Sequence, residues 1–96
     1  MTNEKAGLLR AAAELAKKAS KIGMGDAEIY HDLAIKYPEE YDSFISHYIA
    51  YRMIGKDLLK DAESFAKQIK GEDLKDADEL QREQFKQLIN LLQIEI

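Results

Sequence analysis

The clearest pattern in the chain lies between Glu39 and Lys70, where apolar and small residues recur at alternating steps of three and four. This spacing is typical of one face of an amphipathic helix. Because it continues through Gly55, we predict one long helix over 39–70, either straight or bent at Gly55, where a second backbone could approach closely. The alternative is a helix that stops there, followed by one capped by Asp57. The row consists of Tyr41, Phe44, Tyr48, Tyr51, Gly55, Leu58, Ala62, Phe65 and Ile69.

Two helices are predicted ahead of this central one. The same spacing indicates a first helix over 3–22. The sequence Gly23-Met24-Gly25 predicts its end, because glycine takes the left-handed conformation of a helix stop without a side-chain penalty. A short second helix over 26–37 follows, capped by its first residue, an aspartate, and with Ile29 and Leu33 facing inward.

Proline, glycine and a capping pattern set the remaining boundaries. Pro38 closes the second helix and suits the first turn of the central one. Gly71 indicates the end of the central helix. Asp76 and Glu79 have the spacing of a capping box, so we predict a last helix over 76–95.

These elements predict an all-α fold, a small antiparallel bundle of four helices organised on the long central helix. Ninety-six residues suit one domain, over 1–96. The chain has no cysteine and no uninterrupted apolar stretch long enough for a bilayer span. It opens without a signal-peptide pattern, so we expect a cytoplasmic protein with no membrane segment.

The charge balance bears on the class of partner. Fourteen Lys and Arg against eighteen Asp and Glu give a net charge of -4. Nucleic-acid binding relies on cationic side chains that neutralise phosphates, so this balance disfavours it. The acidic residues are also too sparse to mimic a DNA backbone. A protein partner is expected instead.

The sequence contains no arrangement typical of catalysis. Its serines lie outside the nucleophile-elbow and Ser-x-x-Lys patterns. Ser46 and His47 are neighbours, but consecutive helical residues point about 100° apart, which is wrong for a base that takes a serine proton. We therefore predict a protein that is not an enzyme and that needs no cofactor.

Two patterns suggest metal ligands, and neither is complete. Glu28 and His31 have the Glu-x-x-His spacing of dinuclear iron bundles, but a second copy of the motif and two further glutamates are missing. The acidic loop with Asp73, Asp76 and Asp78 lacks the glycine and the bidentate glutamate of a calcium loop. No metal site is predicted.

Aromatic residues concentrate in the first half of the central helix. A stripe of this kind is usually core, with the tyrosine hydroxyls at the rim, and that interpretation stays open. Tyrosine and arginine are also enriched in binding hot spots. If the cluster binds a partner, the candidate residues are Tyr41, His47, Tyr48, Tyr51 and Arg52.

The C-terminal helix is apolar on more than one side. Such a helix is either deeply buried or used between subunits. We therefore predict a homo-oligomer that self-associates through Leu91, Ile94 and Ile96.

Our leading hypothesis is a non-enzymatic protein–protein interaction module, an accessory protein that acts as an adaptor or inhibitor by occupying a partner surface and that self-associates. The alternative is an oligomer that sequesters a small anionic or nucleotide ligand at a subunit junction. The ligand would lie between tyrosine rings, and Arg52 or Arg10 would contact its negative charge. A thermal-shift screen separates the two, because a bound nucleotide would stabilise only the second kind of protein.

Overall fold

In a computed structural model the protein is an all-α helical bundle, and the structure describes residues 1–95, with side chains through Gln93. Two long helical segments run side by side, and a shorter C-terminal helix packs beside one end of the pair. Within the described residues, no helix combines the length and the apolar character that a bilayer span requires. In chain order the elements are α1 (Asn3–Ser20), a π-helical segment (Lys21–Asp26), α2 (Ala27–Lys36), a 3-10 turn (Pro38–Glu40), α3 (Tyr41–Ala66), α4 (Gly71–Lys75) and α5 (Glu79–Glu95).

The glycines at 23 and 25 do not end the first helix, so the predicted stop there is wrong. None of the chain's glycines has a positive φ, and the backbone continues from α1 through the π-helical segment into α2. The Ala27 N–H donates to the carbonyl of Ile22, five residues back, which is the wide turn of a π-helix. Such a turn takes in one extra residue without breaking the helix, so α1 and α2 both keep a face on α3.

We call the continuous helical stretch from α1 to α2 (residues 3–36) the first rod, and α3, the second rod, folds back along it. Residues 3–36 need about 51 Å as a helix at 1.5 Å per residue, close to the 56 Å length of the molecule. The reversal comes at Tyr37, which leaves the helical conformation before Pro38 (φ -122°, ψ 77°). α3 is continuous through Gly55, which confirms the predicted single helix. It ends earlier than predicted, and Gly71 begins α4 instead of stopping α3.

The cap of α5 lies two residues beyond the predicted one. The Asp78 carboxylate accepts a hydrogen bond from the Gln81 N–H at 2.7 Å, and the Gln81 side chain accepts one from the Asp78 N–H at 3.2 Å. This is a capping box with glutamine as its second member. The capping box predicted at Asp76 and Glu79 is therefore wrong in position, although the helix predicted to follow it is present.

The core lies in one half of the molecule, which we call the base (residues 1–20 and 55–95). There α5 packs against α1 and α3. Alanines on α1 and α3 keep those two backbones close, and α5 contributes the large side chains that fill the remaining space. The buried core residues are Leu9, Ala12, Ala16, Ala62, Ala66, Ile69, Leu88 and Leu92.

The other half, which we call the arm (residues 21–54), is a two-helix hairpin. Its buried residues on the first rod are small: Gly23, Ala27 and Ala34. Gly23 lies against Gly55 of α3. Ile29, predicted to face inward, is exposed, and Leu33, also predicted to face inward, is half-buried.

The arm joins the base where two glycines meet. A Cβ atom added at Gly55 would lie 2.9 Å from the Cα of Gly23 and 3.2 Å from the carbonyl oxygen of Ala19. Real Cβ atoms do not approach backbone atoms that closely, so only glycine fits between the two rods at this level. The close backbone approach predicted at Gly55 is confirmed.

We expect Gly55→Ala to lower the free energy of unfolding by about 1 to 3 kcal/mol, because the added methyl group overlaps backbone that cannot move aside without separating the rods. Gly7→Ala is the matched control. A Cβ at Gly7 meets nothing within 4 Å, so this change should raise stability by about 0.5 to 1 kcal/mol through helix propensity. Urea unfolding followed by circular dichroism measures both, and equal stabilisation by the two variants would contradict the tight contact.

Candidate functional site

Exposed apolar side chains concentrate in the arm. Among the described residues, Leu80 on α5 is the one large apolar side chain that is exposed outside the arm. Two helices cannot cover each other's outer sides, so apolar side chains there stay exposed, and they are candidates for an interaction surface. The exposed large apolar residues of the arm are Met24, Ile29, Ile35, Tyr37, Tyr41, Ile49, Met53 and Ile54.

One side of the arm is an aromatic stack that we call the tyrosine face, formed by Tyr30, His47 and Tyr51. The Tyr30 ring stacks on His47 with 5.0 Å between ring centroids and 21° between planes, and on Tyr51 at 5.3 Å and 13°. His47 and Tyr51 are one turn apart on α3, so both reach the same side. Ile54, seven residues after His47, lies on this side too. Two helices therefore build one continuous face of three rings.

The two tyrosines of this face influence each other. The pKa of Tyr51 is raised above its usual value, first by the side-chain hydrogen bond with Tyr30, then by the charge of Tyr30, by desolvation and by the charge of Asp26. Each of these disfavours the ionised phenolate.

Ser46 and His47 are turned toward backbone carbonyls and not toward each other. The Ser46 hydroxyl donates to the Asp42 carbonyl at 2.8 Å, and His47 Nδ1 lies 2.8 Å from the Ser43 carbonyl oxygen. A carbonyl oxygen accepts hydrogen bonds, so His47 Nδ1 is the donor in this contact. This geometry suits recognition at the surface and does not activate a serine.

The opposite side of the arm carries Tyr48 and Arg52. The Tyr48 ring tilts against His31 with 5.4 Å between centroids. Arg52 Nη1 donates to the carbonyl oxygen of Gly23 at 3.2 Å in a partly buried contact. Both side chains thus link α3 to the first rod, and Arg52 holds the π-helical segment in place.

The tip of the hairpin is acidic. Tyr37 and Phe44 pack against each other across the turn, with 6.4 Å between ring centroids, and Tyr41 is exposed beside them. Carboxylates follow Pro38 at the start of α3, where they complement the positive end of the helix. The acidic residues of the tip are Glu39, Glu40 and Asp42.

Glu28, His31 and Asp32 form the group most able to hold a metal ion among the described residues. One ligand atom from each lies within 4.8 Å of the others, and His31 Nδ1 is 3.9 Å from Asp32 Oδ1. The Glu-x-x-His pair noted in the sequence thus gains a third candidate ligand. The two carboxylates are exposed, and the described structure brings no fourth ligand to the group.

The predicted partner-binding residues fall into different places. His47 and Tyr51 are on the tyrosine face, Tyr41 is exposed at the tip, and Tyr48 and Arg52 bind within the hairpin on its other side. Whether they bind a partner stays a prediction.

For the predicted self-association surface, Leu91 is half-buried and packs against the base core. The side chains of Ile94 and Ile96 lie outside the described residues. Self-association through this end of the chain also stays a prediction.

Sequence reasoning missed Tyr30 as a member of the aromatic site. The signal that could have found it is the seven-residue spacing between Tyr30 and Tyr37, which puts both on one side of a helix that faces the aromatic stripe of α3. It was missed because the expected stop at Gly23–Gly25 left the orientation of the following helix undetermined.

Comparisons of the chain with protein-family models, with curated proteins and with solved structures found no match.

We expect Tyr30→Phe to lower the pKa of Tyr51 toward its usual value, because the hydroxyl of Tyr30 is the main cause of the raised value. The raised value means that Tyr51 contributes stability that is complete below the pKa of an unfolded tyrosine, about 10, and is lost as the pH rises through the folded pKa. Titration of ring-labelled tyrosines by NMR gives the pKa directly. Tyr37→Phe is the control and should leave Tyr51 unchanged; an unchanged Tyr51 in Tyr30→Phe would disprove the coupling.

Arg52→Ala should lower the free energy of unfolding by about 1 to 2 kcal/mol, because it leaves the carbonyl of Gly23 without its charged donor. Arg10→Ala is the matched control: Arg10 is exposed on α1, and its loss should change stability by less than about 0.5 kcal/mol. Thermal and urea unfolding measure both. Equal, small effects would show that the Arg52 hydrogen bond does not support the hairpin.

Proposed function

We propose that this protein is a non-enzymatic interaction module, an adaptor or inhibitor whose arm occupies the surface of another protein. The observation that carries the proposal is the distribution of exposed apolar side chains, which lie in the arm and, apart from Leu80, not in the described part of the base. The base buries its large apolar residues under α5. The arm leaves the same kinds of residue open, which is the surface expected of a binding element.

The tyrosine face is the part of the arm best suited to a partner. Its three rings are already stacked on one another, so little side-chain freedom is lost on binding. Tyrosine offers a large apolar ring with a polar end, which is why it is frequent in binding hot spots. Ile54, which is 46% exposed, extends the face with aliphatic surface.

The acidic tip defines the charge of the partner. Three carboxylates lie within four residues at Glu39–Asp42, and no Lys or Arg lies between them. A partner with Lys or Arg around an apolar surface would be attracted to this end and oriented by it. Ionic strength should therefore slow association more than it speeds dissociation.

The small-ligand hypothesis has less support. It needs an arginine beside the tyrosine rings, whereas Arg52 donates to the Gly23 carbonyl and Arg10 lies in the base. The expected result of a thermal-shift screen with nucleotides is therefore no change in melting temperature. An upward shift would favour the ligand-binding protein instead.

The test is capture of partner proteins from the source cell by the wild-type chain and by two variants. Ile54→Glu places a charge beside the tyrosine face and should lower capture at least about tenfold, because an apolar interface does not accommodate an unpaired charge. The captured protein is then purified, and its affinity is measured by calorimetry.

Leu80→Glu is the matched control, because Leu80 is 79% exposed but lies on α5 in the base. It should bind the same partner with unchanged affinity. If Leu80→Glu loses the partner and Ile54→Glu keeps it, the binding surface is in the base and the proposal is wrong. Circular dichroism of both variants checks that the helices are intact.

A further inference from the structure

The outer side of α3 carries an apolar stripe that has opposite charges at its two ends. Ile45, Ile49 and Met53 are four residues apart, so they lie along one side of the helix. Asp42 comes three residues before this row, and Lys56 comes three residues after it. Ile49 is 49% exposed and Met53 is 61% exposed. Asp42 and Lys56 each lie seven residues from Ile49, on opposite sides of it. The stripe therefore has the same spacing in both directions from Ile49 and ends in opposite charges.

The described part of the chain leaves this stripe uncovered. α5 meets α3 at a shallow groove lined by Glu63, Ala66 and Lys67, beyond the end of the stripe. Neither Asp42 nor Lys56 makes an ion pair within the described residues. Within the described residues, the stripe therefore offers apolar surface between two exposed, unpaired charges of opposite sign.

We propose that the stripe binds the same stripe of a second copy of this chain, antiparallel, about a two-fold axis at Ile49. In that arrangement Asp42 of each copy faces Lys56 of the other, and Ile45 faces Met53. A parallel pair would instead place each charge against its own like. An interface between identical chains is self-complementary only when its opposite charges exchange places across the axis, as these do.

Charges beyond the stripe favour the same pairing. Glu39 and Lys60 lie ten and eleven residues from Ile49 on either side, so each comes close to the other in an antiparallel pair. Asp61 lies about 100° round the helix from Lys60, away from the stripe. Asp57, four residues after Met53, lies at the edge of the stripe beside Lys56. The two opposite charges with equal spacing from Ile49 are therefore Asp42 and Lys56.

The length of the arm also fits. With the axis at Ile49, Pro38 at the tip of the second copy lies opposite Lys60, since both are eleven residues from the axis. The groove between α5 and α3 is lined on α3 by Glu63, Ala66 and Lys67, all beyond Lys60. The arm of the second copy thus occupies the part of α3 that α5 leaves open, and the two bases lie at opposite ends of the dimer. This interface goes beyond the proposed partner binding, which uses the tyrosine face.

The first test is the mass in solution, measured by sedimentation equilibrium over a concentration series. The wild-type chain should reach twice its 11.0 kDa, and Ile49→Glu, which puts two like charges on the axis, should raise the dissociation constant of the dimer by about tenfold or more. Ile29→Glu, an equally polar change on α2, should leave the dimer intact. A wild-type monomer at every concentration, or a dimer unaffected by Ile49→Glu, would overturn the proposal.

Exchange of the terminal charges tests the orientation. Asp42→Lys and Lys56→Asp should each weaken the dimer, because each brings like charges together at both ends, and the double variant should restore it. A parallel dimer would not show this rescue, since each position then faces itself. Failure of the double variant to recover would therefore reject the antiparallel pair.

Cysteine crosslinking gives an independent answer, because the chain has no cysteine of its own. Under mild oxidation Ile49→Cys should form a disulfide-linked dimer. Ile45→Cys alone should not, but a mixture of Ile45→Cys and Met53→Cys chains should crosslink to each other. Efficient crosslinking of Ile45→Cys with itself would show a parallel dimer and contradict the inference. These positions are at least partly exposed, and circular dichroism confirms that the variants fold.

Discussion

The contact on which the rest of the structure depends is the meeting of Gly23 and Gly55. At this level the two rods are too close for a Cβ atom on α3, and the small residues Ala19 and Ala27 extend the close approach to either side. Large side chains of α3 near this contact cannot lie between the rods. Tyr51 therefore turns to one side of the hairpin and Arg52 to the other. The two unlike faces of the arm follow from one close approach of backbones.

The π-helical segment lies at the same level and has a related role. A π turn leaves the hydrogen-bond ladder wider than in an α-helix, and π turns are frequent at functional sites. Here Arg52 donates to the carbonyl of Gly23 within that turn, from the opposite rod. The glycine pair sets the distance between the rods, and the Arg52 hydrogen bond is a second link between them at the same level. Both features position the rings of Tyr30 and Tyr51, which are the basis of the candidate site.

The three-four spacing of α3 was enough to predict its continuity, its inner face and the close approach at Gly55, because these depend on periodicity that a sequence records directly. The path of the first rod could not be predicted in this way. Gly23 and Gly25 favour a helix stop locally, whereas in the folded chain this stretch is helical and packs against α3. Ile29 was misplaced as well: hydrophobicity alone puts it inside, but it is exposed, and the buried residues of α2 are Ala27 and Ala34. The sequence therefore draws attention to the aromatic residues of α3 but not to Tyr30, which packs against two of their side chains, those of His47 and Tyr51.

The arm is also the part of the molecule that buries the least large apolar side-chain surface between its own helices. Isolated helices are marginal in water, and most helical stability comes from a buried apolar face. The base has such a face on three helices, whereas the arm buries mainly small residues between two. In the proposed dimer the stripe around Ile49 gains cover, and the tyrosine faces of the two copies point away from each other. Such a dimer presents two identical binding faces, so a partner with two matching sites would bind it more tightly than either face alone allows. Dimerisation and partner binding then use separate sides of the same hairpin, and each can be removed without the other.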